Sequence, residues 1–262
     1  MPLFFAFMLS GCGSSAELAS AWSSGNVVVD GQSSDWDKVP LYTGKEKVGV
    51  SVSNDNEFLY VYLTTQDRQT QMQIMRFGLT VWLDRKDSKD ETFGIHYPLG
   101  MRFNEPLTDR SRSEGGEGMQ RALESQSREL EILGPGKNER RRLSLLAVPG
   151  VQAKIAFAGS GNLVYELRVP LKENSNYQFA VNAEGSKIGV GISSQADKEA
   201  MKERTGPPEE GVRRGESGGG MRGGGTRGGG GGVRRGGGEM ASRPSNEPLD
   251  LWLSVTLAST PR

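Results

Sequence analysis

Short apolar segments that alternate with polar residues, separated by Gly, Asn, Asp or Pro, recur along this chain and constrain its fold more than any other feature. Alternation with a period of two places one side of each segment against a core and the other outward, which is the pattern of β-strands joined by turns. Residues 27–29 begin the series. Residues 48–52 and 58–63 flank Asn54-Asp55-Asn56, whose side chains suit a tight turn, and predict a hairpin. Residues 77–83 and 92–97 predict a second hairpin around the charged stretch 84–91. Residues 151–157 and 163–169 predict a third around Ala158-Gly159-Ser160-Gly161-Asn162, ended by Pro170, which has no N–H for a central ladder. Residues 177–181, 188–192 and 251–257 complete the set. In the last, Leu251, Leu253, Val255 and Leu257 alternate with Trp252, Ser254 and Thr256, so the C-terminus closes the sheet. Many short strands with little helix predict an all-β chain, an antiparallel β-sandwich of jelly-roll type.

Two polar insertions interrupt the strands. In 104–142, Met119, Ala122, Leu123, Leu130 and Leu133 have rough helical spacing and predict a helix over about 118–131, with an extended 129–133 as the alternative. The other, 197–248, contains a glycine-rich tract, 211–238, too poor in apolar surface to offset its ordering entropy, and is expected to be disordered. Within it Arg213, Arg214, Arg222, Arg227, Arg234 and Arg235 resemble the RGG segments of RNA-binding proteins. The aromatic residues that usually accompany such arginines are absent, so the tract reads first as a tolerated insertion and next as a cationic loop touching anionic lipid or polysaccharide. Nucleic acid is the disfavoured partner.

Composition narrows the chemistry. The 262 residues hold 32 Lys and Arg against 32 Asp and Glu, so no global charge argues for a polyanionic partner. One cysteine excludes an intrachain disulfide and zinc sites made of several thiolates. One histidine leaves few acid–base arrangements, and the carboxylates fall in turns and charged runs, so the chain is expected not to be an enzyme. Asp84, Asp87, Asp90 and Glu91 could wrap calcium, but the interleaved Arg85, Lys86 and Lys89 favour a solvated hairpin tip. His96, with Met75 or Met101 near it in sequence, is a candidate haem ligand, although a lone strand histidine is more often structural.

The cysteine is Cys12, at the end of Leu9-Ser10-Gly11-Cys12 and just after the apolar run 3–8. These residues resemble the lipobox of bacterial lipoproteins. That resemblance implies a signal peptide over 1–11, cleavage before Cys12, acylation of its thiol and anchorage in a lipid bilayer. The serine-rich stretch 12–25 would then be a flexible tether, and 26–262 the folded domain with its two insertions. Only Met1 and Pro2 precede the apolar run, where a secretory signal carries Lys or Arg, so a start further upstream is expected. Gly13 after the cysteine implies the outer membrane in a Gram-negative cell.

The domain itself opens with Val28-Val29-Asp30-Gly31-Gln32-Ser33-Ser34-Asp35-Trp36, then Val39-Pro40. Together with the strand Glu57-Phe58-Leu59-Tyr60-Val61-Tyr62-Leu63, Asp67, Val81-Trp82-Leu83-Asp84 and the run from Leu163 to Pro170, this resembles family 9 carbohydrate-binding modules and DOMON-like domains. The resemblance covers most of 26–193 and the terminal strand. It implies a sandwich that binds envelope or cell-wall polysaccharide through aromatic side chains, with Trp82 and Tyr62 the candidates. Some DOMON domains hold haem, which would fall to His96. Trp36 and Trp82 read more simply as core anchors between the sheets.

Overall fold

The computed structural model describes residues 16–25, 27–36, 40–100, 123, 127–136, 139–158, 161–195 and 248–261. Two units divide the chain, 1–195 with 248–262 and 196–247, and the second lies wholly outside the described residues. The first is the expected all-β sandwich. One sheet runs in the order β1 (Ala16–Ala19), β13 (Leu249–Thr256), β12 (Lys187–Ser194), β6 (Thr80–Asp84), β7 (Gly94–His96), β8 (Glu129–Leu133) and β9 (Arg140–Ser144). The other runs β10 (Gln152–Phe157), β11 (Leu163–Pro170), β5 (Phe58–Thr65), β4 (Val48–Asn54) and β2 (Ala21–Trp22), with β3 (Leu41–Thr43) also on β4. Pairing is antiparallel except for β1 with β13 and β2 with β4. Alternation supplies the core: Val50, Val61 and Leu63 from one sheet and Val81, Val190 and Leu253 from the other are all buried in one cluster. Each such side chain contributes about 1.5–3 kcal/mol on burial.

The three predicted hairpins form, as β4/β5, β6/β7 and β10/β11. In the first, Asp55 accepts the N–H groups of Glu57 and Phe58, both at 2.7 Å, and the hydroxyl of Tyr60 at 2.9 Å.

The opening segment 27–36 departs from expectation. It forms no strand at 27–29 but lies as a strap over the outer face of the six-stranded sheet. Gly31, at φ +87°, sits so close to β10 that a Cβ would lie 2.7 Å from the Cβ of Ala156. Glu166 on β11, fully buried, accepts the N–H of Asp30 at 2.9 Å, that of Gly31 at 2.6 Å and the indole N–H of Trp36 at 2.7 Å. Burial pushes its carboxyl above the ordinary glutamate value, and these hydrogen bonds oppose the rise. The Trp36 ring rests on Tyr62 with centroids 5.0 Å apart. Trp36 therefore anchors the strap on the outside of a sheet, not the space between the sheets. On the outer face of β5 the strap covers Tyr62, while Tyr177 and Arg168 cover Phe58, so both faces of the strand are buried.

Other departures have local causes. Part of the expected tether is structured: β1 and β2 are edge strands on opposite sheets, and the chain crosses between them at Ser20, whose hydroxyl bonds Asn54 and accepts the N–H of Ala258. Within the insertion 104–142, residues 129–131 belong to β8, so the helix expected over 118–131 does not run through them. Leu130 and Ile132 alternate into the core, and pairing with both β7 and β9 overrides the helical spacing. Residues 101–122 and 124–126 lie outside the described residues. Residues 177–181 form no strand; they belong to the loop between β11 and β12. A helix not foreseen, α1 (Arg68–Phe77), begins at Asp67, whose carboxylate accepts the N–H of Thr70 at 2.9 Å, and ends at Gly78, φ +80°.

The tip of the β6/β7 hairpin is organised from inside. Asp84 is 1% exposed, not solvated, and accepts the N–H groups of Lys86 at 3.0 Å and Asp90 at 3.2 Å, with the N–H and hydroxyl of Ser88. Burial raises its pKa, but the four hydrogen bonds outweigh it and hold the carboxyl below its ordinary value of 3.8. A lowered folded pKa contributes stability that is present above 3.8 and is lost as pH falls through the folded value. Asp84→Asn is expected to cost about 2 kcal/mol at neutral pH. In urea denaturation that deficit should shrink once wild type is protonated; a deficit unchanged in acid would show that ionised Asp84 does not hold the tip.

Candidate functional site

The outer face of the seven-stranded sheet carries a row of residues set by register. Val81 and Leu83 face the core, so Trp82 faces outward; Leu251 and Leu253 do the same for Trp252. Gly191 on β12 pairs with Trp82 on one side and Trp252 on the other, and Trp82 pairs in turn with Gly94. The row therefore reads Trp252, Gly191, Trp82, Gly94. At 4.7–4.9 Å per strand, the two tryptophans stand about 10 Å apart at the backbone.

The glycines are what let the indoles lie low. A Cβ on Gly191 would meet ring atoms of Trp252 at 2.7–2.9 Å, and one on Gly94 would meet those of Trp82 at 2.5–3.1 Å. Each indole thus covers the backbone of the next strand, and both lean the same way across the sheet. Both remain half-buried.

One step along the strands runs a polar row: Asp250, Ser193, Thr80, His96 and Glu131, joined pair by pair. The Thr80 hydroxyl and His96 Nδ1 are 2.9 Å apart, and Glu131 pairs with Arg140 at 3.6 Å. Flat apolar rings beside a line of donors and acceptors suit a ligand with C–H groups on one face and hydroxyls at its rim.

Of the two carbohydrate candidates read from the sequence, Trp82 lies in this arrangement, on the outer face and not as a core anchor between the sheets. Tyr62 is elsewhere, 4% exposed under Trp36 on the outer face of the opposite sheet, so the structure does not bring these two candidates together. His96 faces outward while Met75 is 1% exposed in the core, and a haem would not find them as a pair. Asp84 spends its oxygens on N–H and hydroxyl donors, and among the described residues no three His, Cys, Asp or Glu side chains gather as metal ligands would. Cys12, Met101, Arg213, Arg214, Arg222, Arg227, Arg234 and Arg235 lie outside the described residues. Trp252 is the residue that sequence reasoning missed. Its outward direction was readable from Leu251 and Leu253, and Gly191 within an apolar strand was a signal of close approach.

No family model and no curated protein matches the chain. Among solved structures it is similar to a family 9 carbohydrate-binding module from Caldicellulosiruptor kristjanssonii in complex with glucose, at 12% identity, TM-score 0.33, over 70% of this chain and 81% of that one. It is likewise similar to a family 9 module from the same organism in complex with cellotriose, at 13% identity, TM-score 0.33, over 71% of this chain and 80% of that one. A likeness this loose assigns no side chain of the site.

Proposed function

We propose that this chain is a non-catalytic glycan-binding module of a bacterial cell envelope, held to the bilayer by lipid on Cys12. The row of Trp252 and Trp82 carries the binding reading. Two indoles laid across glycines on one strand row offer stacking surfaces to a polysaccharide, and the polar row offers its hydroxyls partners. The sequence Leu9-Ser10-Gly11-Cys12 after an apolar run supports the anchor.

Retention on insoluble cell-wall polysaccharides, with a panel of soluble glycans, tests the binding. Trp82→Ala and Trp252→Ala are each expected to weaken it roughly tenfold, the equivalent of about 1.4 kcal/mol per ring. The double variant should abolish it. Tyr42→Ala, at an exposed ring on β3 of the other sheet, should leave it unchanged. No glycan retention by the wild-type protein would overturn the reading. Mass spectrometry of the native protein tests the anchor separately: an acylated Cys12 as first residue supports it, and an intact Gly11–Cys12 bond removes it.

A further inference from the structure

A second concavity lies at one end of the sandwich and shares no lining residue with the tryptophan row: a cleft of about 450 Å³ between the β6/β7 tip, the β8/β9 turn and the loop after β11. Its floor continues the core outward, with Leu83, Ile132 and Val181 below and the half-buried rings of Phe93 and Phe179 at its sides. Its lining carries three cations, Arg85, Lys86 and Arg141, against three carboxylates, Asp84, Asp90 and Glu173. Gln178 and Asn182 add amides.

The walls are tied to one another. The Glu184 N–H donates to the carbonyl of Arg85 at 3.2 Å, while its carboxylate pairs with Arg85 at 3.1 Å and Lys86 at 3.7 Å, joining the loop to the hairpin tip. Asn182, at φ +55°, donates its N–H to the Leu171 carbonyl at 3.0 Å and accepts the N–H of Glu173 at 3.0 Å. Gly134 donates to the Glu139 carbonyl at 2.8 Å and closes the β8/β9 turn. A cleft held in this way loses little order when something binds.

The charge pattern selects the occupant. A site for an anion would present unpaired cations, and one for a metal would gather free carboxylates; here Glu184 pairs with Arg85 and Lys86, Glu139 pairs with Arg141, and Asp84 is spent on its own loop. A fatty chain would leave the amides and charges of the rim unpaired. A neutral, polyhydroxylated ring satisfies both parts of the lining: its C–H face lies on Phe93 and Phe179, and its hydroxyls find amide, guanidinium and carboxylate partners. We infer that this end cleft is a second sugar site, distinct from the tryptophan row, taking one neutral pyranose ring.

Amide and indole NMR shifts of the full chain, titrated with methyl glycosides of glucose, galactose and mannose, read the two sites apart. Binding is expected in the millimolar range, as suits one ring and few hydrogen bonds. Shifts should appear at Phe93, Gly134, Gln178 and Asn182, and should survive Trp82→Ala with Trp252→Ala, so the cleft is scored whether or not the tryptophan row binds. Phe179→Ala should remove them. Gln178→Ala, at an exposed position that does not threaten folding, should raise Kd roughly tenfold. The inference is overturned if none of the three glycosides shifts these amides, if both cleft variants respond as wild type does, or if glucuronate or sulfate binds more tightly than the neutral sugars.

Discussion

Glu166→Ala is expected to lower stability by about 3–5 kcal/mol, because three hydrogen bonds to one buried carboxyl are lost at about 1–2 kcal/mol each. The carboxylate is the common acceptor for two backbone N–H groups of the strap and the indole of Trp36, so its removal strands three donors against a buried sheet face. The strap should then lift, exposing Tyr62 and shifting Trp36 fluorescence to the red. Glu166→Gln, with its carbonyl where Oε2 accepts the Asp30 and Gly31 N–H groups, keeps those two bonds and sets its NH2 against the Trp36 indole alone, so it should recover most of the loss. Denaturant unfolding with tryptophan emission checks both. A loss below about 1 kcal/mol for Glu166→Ala would mean that the strap is held by ring packing alone.

Gly134→Ala is expected to be comparably severe. At φ +90° the residue is in a region that side chains avoid, and a Cβ would press into the carbonyl oxygen of Thr92. That atom is backbone and cannot swing aside. The substitution should cost about 3–4 kcal/mol in denaturant unfolding, a large share of the 5–15 kcal/mol that holds an ordinary domain together. The same change at Gly161 is the control: φ is +78°, but nothing lies within 4 Å of its Cβ position. There only the backbone strain remains, about 1 kcal/mol.

The contrast between Trp82 and Trp252 shows how far sequence reaches into this molecule. Strands with clear alternation and local turns, such as 48–52 with 58–63, are legible because hairpin pairing is set by neighbours in the chain. β8 is harder: Leu130 and Ile132 sit in a charged stretch whose leucines also fit a helix, and only pairing with β7 and β9 decides. α1 is written mainly in Gln, Arg and Met, with Ile74 and Met75 as its buried contacts, too little apolar signal to stand out. β1 and β2 are edge strands of small residues, held by a sheet that the local sequence does not reveal. Trp82 was a candidate from its strand, but its partnership with Trp252 depends on the order β13, β12, β6, which joins residues far apart in sequence. Trp36 misled for the opposite reason: a large ring suggests the interior, and Glu166, which holds it outside, lies 130 positions away.

The placement of β1 carries a consequence for where such a protein can act. Ala16 is already paired with Leu253, next to Trp252, so between Cys12 and the folded sheet there are four peptide steps. At 3.3–3.6 Å per residue, that leash spans at most about 14 Å. With a lipid on Cys12, the tryptophan-bearing edge would ride directly against the headgroups with almost no freedom to search outward. Its ligand would have to be a polymer that itself comes down to the leaflet, and the protein would work as a short rivet between polymer and bilayer, not as a line cast into the surrounding space.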